Sequence, residues 1–303
     1  MSRPEFSSVD AVLDRLRSEK YLADRGLATS IFLAAELQRP LLLEGDPGVG
    51  KTELAKVVAS ATGAELIRLQ CYEGIDASQA LYEWNYTRQL LHLRTAEATG
   101  TASQTESDVL EDELFTERFL IRRPLLQAID HHADVAPVLL IDEIDRADDE
   151  FEAFLLEALS DYSVTIPELG TFRANVPPLV IITSNRTRDV HDALKRRALY
   201  HWVEHPDFER EVAIIEAKAP EVSSALARQV AAATTHLRDM GMYKPPGIAE
   251  TLDWAKALHL LSASSLTEAA IDETLGTLLK YREDQERARR AGLESVIEIA
   301  LGA

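Results

Sequence analysis

Gly45-Asp46-Pro47-Gly48-Val49-Gly50-Lys51-Thr52 is a complete phosphate-binding loop of the form G-x-x-x-x-G-K-T, and its surroundings constrain what this chain can fold into. Leu41-Leu42-Leu43 ahead of it reads as a short apolar strand. Behind it, Leu54, Val57, Val58 and Ala61 recur at helical spacing through Thr62. Strand, glycine-rich turn and helix N-terminus is the context the motif requires. The glycines permit backbone angles that turn successive N–H groups inward, and the helix dipole adds positive potential for phosphate. Lys51 is expected to reach the β- and γ-phosphates of ATP, and the Thr52 hydroxyl to ligate Mg²⁺. Gly45 to Thr52, with Glu53 beside them, form the expected nucleotide-binding set. The plain alternative, a glycine turn capping an ordinary helix, is disfavoured by the flanking context.

The rest of the chain alternates. Val9 to Gln38 reads as largely helical and ends at Pro40, and Glu65–Leu69 reads as a second strand. From Tyr72 to Phe115 the pattern degrades: Tyr82–Tyr86 suggests a strand or hairpin, and Thr99 to Glu113 is polar and acidic, as in a solvated loop. Pro124 to His131 returns to helix. Val138–Ile141 and Leu179–Ile182 are continuous apolar runs, expected of strands in a parallel sheet covered on both faces. Between them Phe151, Phe154, Leu155, Ala158 and Leu159 share a helical face. This alternation predicts an α/β domain with a parallel sheet. After His205-Pro206 only helical stripes follow, and Ser265-Leu266-Thr267-Glu268 carries a capping-box signature.

Two further groups point to nucleotide chemistry. Val138–Glu143 ends a buried strand in two adjacent carboxylates. Asp142 is expected to hold Mg²⁺ through water, and Glu143 to orient and deprotonate a water that attacks the γ-phosphate. The competing explanation is that both acids favour the N-terminus of the next helix. Thr183-Ser184-Asn185 ends the other strand where α/β sheets bind ligands. Asn185 there either holds the attacking water or the γ-phosphate, or is simply a turn residue.

Together these motifs resemble the AAA+ ATPase superfamily, with Walker A at Gly45–Thr52, Walker B at Val138–Glu143, sensor 1 at Asn185 and a helical lid behind them. Leu140-Ile141-Asp142-Glu143-Ile144-Asp145-Arg146-Ala147, then Phe154-Leu155-Leu156-Glu157-Ala158-Leu159, resembles the MoxR signature DEINRA…LLEAM, with Asp145 in place of Asn. Asp76–Trp84 and Tyr200-His201-Trp202 are similar to MoxR members linked to maturation of carbon monoxide dehydrogenase and related molybdenum hydroxylases. The resemblance implies a three-layer αβα ATPase domain over residues 1–205 and a smaller all-α lid over 206–303. It also implies a hexameric ring with ATP between subunits, completed by a neighbour's arginine. Arg197 best matches that position, while Lys195 and Arg196 fit a helix C-terminus complemented by basic residues. Tyr21 and Leu22 lie where the family packs adenine; otherwise they are ordinary core residues. The sensor 2 arginine is missing: Lys244-Pro245-Pro246-Gly247-Ile248 stands there, and Lys244 either replaces it or lid sensing is weakened.

Composition bears on partners. With 51 acidic and 32 basic residues the formal net charge is −19. Such a chain has no generic attraction for a phosphate backbone, and no long basic run supplies a local one. The single cysteine, Cys71, excludes an intrachain disulfide and fits a reducing compartment, with a structural role at a strand end. No apolar run reaches membrane-spanning length and the first ten residues lack a signal-peptide core, so a soluble, cytoplasmic protein is expected. The leading expectation is an ATP-driven remodelling chaperone for an immature molybdenum hydroxylase, with a von Willebrand factor A-domain partner. Its working surface would lie near Tyr82–Trp84 and the Val164–Asn175 hairpin. A nucleic-acid motor and a low-turnover nucleotide switch are the competing classes.

Overall fold

The computed structural model describes residue 2, residues 4–98 and residues 113–302. Most of the acidic Thr99–Glu113 stretch therefore lies outside the described residues. By contacts the chain forms two compact units interleaved along the sequence. One comprises residues 1–7, 30–43 and 58–201; the other comprises 8–29, 44–57 and 202–303.

Five strands, β1 Leu41–Glu44, β2 Leu66–Gln70, β5 Val138–Asp142, β8 Leu179–Ser184 and β9 Leu199–Trp202, form a sheet in the order β2-β5-β8-β1-β9. Every residue of β1, β5 and β8 is buried, as their unbroken apolar runs predict for a sheet covered on both faces. The registers Ile67↔Leu139↔Val180 and Leu69↔Ile141↔Ile182 are parallel and form one apolar row per level. Leu125, Leu126, Ile129, Phe151 and Leu155 pack on that row. The expected α/β class with a parallel sheet holds, and a helical C-terminal region follows it.

Two antiparallel pairs decorate the first unit. β3 Tyr82–Trp84 pairs with β4 Leu120–Arg122, and β6 Ser163–Ile166 pairs with β7 Gly170–Arg173. Trp84 is buried and meets Tyr82 edge-on at 6.0 Å. The second unit gathers six helices, 208–218, 224–239, 248–260, 268–278, 282–291 and 293–302, around Trp254, Leu226, Val230, Leu237, Ile271 and Leu275.

Several boundaries differ from the sequence expectation for local reasons. The helix expected over Val9–Gln38 is two helices, Val9–Ser18 and Arg25–Leu37. The first stops where Lys20 takes φ 59°, and Asp24 starts the second by accepting the Leu27 N–H at 2.7 Å. At Ser265–Glu268 the cap is Thr267, which accepts the Ala270 N–H, because Leu266 is drawn into the core. Ahead of Arg196 and Arg197, the helix that carries them runs only from Asp192 to Arg197 and is capped by His191.

Candidate functional site

The phosphate loop, Tyr21, Leu22 and Glu53 all fall in the second unit; Asp142, Glu143, Asn185 and Arg197 fall in the first. In the loop, Gly48 and Gly50 take φ +84° and +95°, a region that favours glycine. A Cβ on Gly45 would meet the Val203 carbonyl oxygen at 2.3 Å, and the Val203 N–H donates to Glu44 O at 2.7 Å. Backbone thus lies against backbone, where no side chain fits. Lys51 is 5% exposed, and its ammonium donates to the carbonyls of Gly45 at 2.7 Å and Asp46 at 2.8 Å. The ammonium is therefore held in the hollow of its own loop. Thr52 and Glu53 follow in the first turn of Lys51–Thr62, half-buried, while Asp46 and Pro47 are exposed and Val49 is buried.

Beside the loop, Tyr21, Leu22, Val49, Val203, Ile214 and Leu252 line a cavity of about 200 Å³. Sequence reasoning found only the first three. Its charged lining is Lys20, Glu53, Glu204, Arg210 and Lys218. Lys218 Nζ donates to Glu53 at 3.0 Å. Burial pushes the Glu53 carboxyl up, but the Lys218 and Lys56 ammoniums together outweigh it and hold the group below its usual range. Arg210 Nε donates to Leu22 O at 2.9 Å, which fixes the chain between the first two helices. His205, also missed, stands 3.6 Å from Asp46; its ring nitrogens are buried and make no hydrogen bond.

The 244–247 segment, where MoxR relatives carry a sensor arginine that this chain lacks, is held by other contacts. Lys244 Nζ lies 5.7 Å from the Tyr281 ring centroid, and its N–H donates to the buried Asp284 at 3.0 Å. Arg238 donates to Pro246 O at 2.8 Å and binds the buried Glu211 through both guanidinium arms at 2.7 Å. Next to it, the Ile248 N–H donates to Gly48 O at 2.9 Å. A Cβ on Gly247 would lie 2.6 Å from Gly48 Cα. The first turn of helix Ile248–Leu260 is thereby joined to the phosphate loop by backbone alone.

In the first unit the carboxylates sit at the carboxyl end of β5. Asp142 is 2% exposed; one oxygen accepts the Thr183 hydroxyl at 2.6 Å and the other the Arg68 guanidinium at 2.6 Å. Arg68 pairs in register with Leu140, so the pleat puts it on the face of Asp142, one diagonal step away. Glu143 adopts a left-handed conformation, φ 56°, with its N–H donating to Thr183 Oγ1 at 2.9 Å. Its carboxylate accepts from Gln70 at 3.1 Å, Arg146 at 3.2 Å and Asn185 at 3.4 Å. The chain thus brings Glu143 and Asn185 into contact, as their placement at neighbouring strand ends predicts.

Asp145, the departure from the MoxR-like signature, is buried and accepts the N–H groups of Asn185 at 3.1 Å and Thr187 at 2.8 Å, plus the Thr187 hydroxyl at 2.6 Å. An acceptor-only carboxylate suits three donors. Cys71, one residue beyond β2, is buried, and burial with the nearby acids pushes its thiol up to about 12, in keeping with a structural role. Arg196 and Arg197 are both exposed, and Arg197 donates to Leu156 O at 2.8 Å and to Ser160 Oγ. Arg68, Gln70, Thr183 and Arg238 carried no sequence signal, because each is recognisable only by its partner.

Among the described residues no helix is long and apolar enough to cross a membrane, and no cluster of three or more His, Cys, Asp or Glu side chains could hold a metal. Midasin from Giardia intestinalis is 46% identical over 54 residues, which is 18% of this chain and 1% of midasin, so the chain spans a very small part of that curated relative. A point mutant of Thermotoga maritima RuvB has a TM-score of 0.49 at 18% identity, covering 99% of this chain and 82% of that one. The Thermotoga maritima RuvB Holliday junction branch migration motor has a TM-score of 0.46 at 17% identity, covering 98% and 80%. Residues 40–198, more than half the chain, match the AAA domain of the dynein-related subfamily. The chain belongs to that family, and so to the AAA ATPases.

Proposed function

We propose that this protein is a MoxR-type remodelling ATPase that acts on a protein client, with residues 1–205 as its nucleotide-hydrolysing domain and 206–303 as its lid. The observation that carries the hydrolytic reading is the Glu143 carboxylate, held by Gln70 and Asn185 at the end of a buried strand. In this reading the backbone N–H groups of Gly45–Gly50 and the Lys51 ammonium bind the phosphates. Tyr21 and Leu22 bound an apolar cavity of a size that suits a heterocyclic base. Glu143 takes the proton of the attacking water and Asn185 orients that water. The motifs propose Thr52 and Asp142 as the residues that would hold Mg²⁺, and a hydroxyl and a carboxylate are donor types that suit a hard cation. Bound Mg²⁺ supplies neutralisation of charge on the transferring phosphoryl group. Arg197 acts across a ring interface on the neighbour's nucleotide.

The client assignment draws support from the MoxR-like motifs and from the net charge of −19, which disfavours a polynucleotide. The proposed client is an immature molybdenum hydroxylase, with a von Willebrand factor A-domain protein as partner, in the cytoplasm. Lys51→Ala should weaken ATP binding and abolish turnover, whereas Glu143→Gln should retain ATP while hydrolysis collapses. The ATP-loaded Glu143→Gln ring should then retain the partner or client more tightly than the ADP form. Wild-type hydrolysis by Glu143→Gln would remove that residue as the base. A deletion strain with a fully active hydroxylase would remove the client.

A further inference from the structure

Glu152, on helix Asp149–Asp161, is 0% exposed. A carboxylate in such a place is tolerable only when donors engage it. One oxygen is paired with the Arg188 guanidinium, and the other accepts the His191 N–H at 2.8 Å. Those two donors bracket the short link between the Asn185–Thr187 segment and helix Asp192–Arg197. Arg188 is fastened a second time, through Nε to Ala147 O at 2.8 Å, and a third, through Nη1 to Asp149 at 3.2 Å. Upstream, Asp145 holds the Asn185 and Thr187 N–H groups. Residues 185–191 are therefore stapled along their length to the segment that follows Glu143.

Helix Asp192–Arg197 has only six residues, too few for its own hydrogen bonds to hold it in place. Its far end is gripped by Arg39, which donates to the carbonyls of Arg196 at 2.7 Å and Arg197 at 2.9 Å. Its near end is gripped at His191 by Glu152. The placement of the helix that carries Arg196 and Arg197 is set by these two anchors, and the Arg197 guanidinium is further held by Leu156 O and Ser160 Oγ.

We propose that Glu152 is a positioning residue for the arginine that this helix offers to a neighbouring subunit, and that its carboxylate links the Asn185 segment to that arginine. The inference rests on the trans-acting arginine proposed above. A displacement of the Asn185 segment is handed to His191 through Arg188 and Glu152, and so to the helix. Glu152→Gln preserves shape but presents an amide NH₂ where one of two donors needs an acceptor. The link from Arg188 to His191 is then cut at one end or the other without losing either arginine.

The test uses assembled full-length protein. Glu152→Gln should bind ATP as the wild type does, while kcat falls about 10–100-fold, as expected when a catalytic group is misplaced by about 1 Å. Mixed with Lys51→Ala protein, which keeps a sound arginine, Glu152→Gln sites should regain turnover. Mixed with whichever of Arg196→Ala or Arg197→Ala is inactive, no activity should return, because both partners then lack a well-placed arginine. Recovery in that second mixture would put the defect in the site of the Glu152→Gln subunit itself and overturn the proposal. So would wild-type kcat in Glu152→Gln alone. Wild-type turnover by both Arg196→Ala and Arg197→Ala would instead remove the trans-acting arginine, a failure that reads differently. Should circular dichroism show that Glu152→Gln does not fold, Arg188→Gln cuts the same link from a side chain 31% exposed and must give the same complementation pattern.

Discussion

Replacing Gly247 with alanine tests whether the phosphate loop is shaped by the helix that begins at Ile248. Gly247 has φ −85°, which alanine adopts freely. Backbone entropy alone would therefore make Gly247→Ala more stable by about 0.4–1 kcal/mol. Contact opposes this, because the new Cβ would lie 2.6 Å from Gly48 Cα and 2.8 Å from both its carbonyl carbon and oxygen. All three are backbone atoms, so no side-chain rotation relieves the clash. Arg238, bonded to Pro246 O at 2.8 Å, resists retreat on the other side. Overpacking of this kind costs about 1–3 kcal/mol. Opening the Ile248 N–H bond to Gly48 O adds about 1 kcal/mol. The net sign is destabilisation, by about 1–3 kcal/mol. Urea titration followed by tryptophan fluorescence, with Trp254 as a core reporter in the same unit, should show the lowered midpoint. ATP affinity should fall with it, about tenfold for each 1.4 kcal/mol delivered to the loop. Gly292→Ala is the control: at φ +91° with nothing within 4 Å, it pays backbone strain yet should leave ATP affinity unchanged. A Gly247→Ala protein as stable as wild type, with unaltered ATP affinity, would refute the reasoning.

Three further outcomes are expected. Asp145→Asn leaves at least one of the Asn185 or Thr187 N–H groups facing another donor, at a cost of about 1–3 kcal/mol; steady-state kinetics should show kcat falling more than KM rises, and an unchanged kcat would detach Asp145 from Asn185. Burial, then the Arg238 and Lys51 charges, push the His205 ring below its ordinary 6.5, with Asp46 opposing. The unfolded chain then binds that proton more readily, so the stability it contributes is present above pH 6.5 and drains away as pH falls through the lowered folded value. His205→Gln should flatten the acid limb of the denaturation midpoint, and an identical limb would show that other groups govern it. Finally, ATPase activity should not respond to single- or double-stranded DNA at physiological salt; a salt-steep stimulation would favour a nucleic-acid motor.

The phosphate loop, the buried strands and the acid pair were legible because their signals are local. Gly45–Thr52 is contiguous, β5 and β8 are unbroken apolar runs, and Asp142, Glu143 and Asn185 sit where such runs end. An apolar run of strand length has few ways to be buried, and a polar residue at its carboxyl end is carried to the ligand side of a parallel sheet. The break at Lys20–Asp24 was also local in cause, a cap at Asp24, but its signal was masked by helical periodicity on both sides.

What holds Asp142, Glu143 and Asn185 in place was not legible, for a physical reason. Arg68 reaches Asp142 from 74 positions away, Gln70 reaches Glu143 from 73, and Asp145 takes the Asn185 N–H from 40. In the sequence Arg68 is an unremarked polar residue within a strand, and Glu152 is one more acid in a helix that already begins with several. Only the register of β2 on β5 puts Arg68 diagonal to Asp142, and only the fold brings the His191 N–H to Glu152. The residue types proposed to do the chemistry are written in short motifs, because covalent neighbours suffice to display them. Their orientation depends on hydrogen bonds between segments distant in the chain, and those partners exist only once tertiary packing has chosen the neighbours.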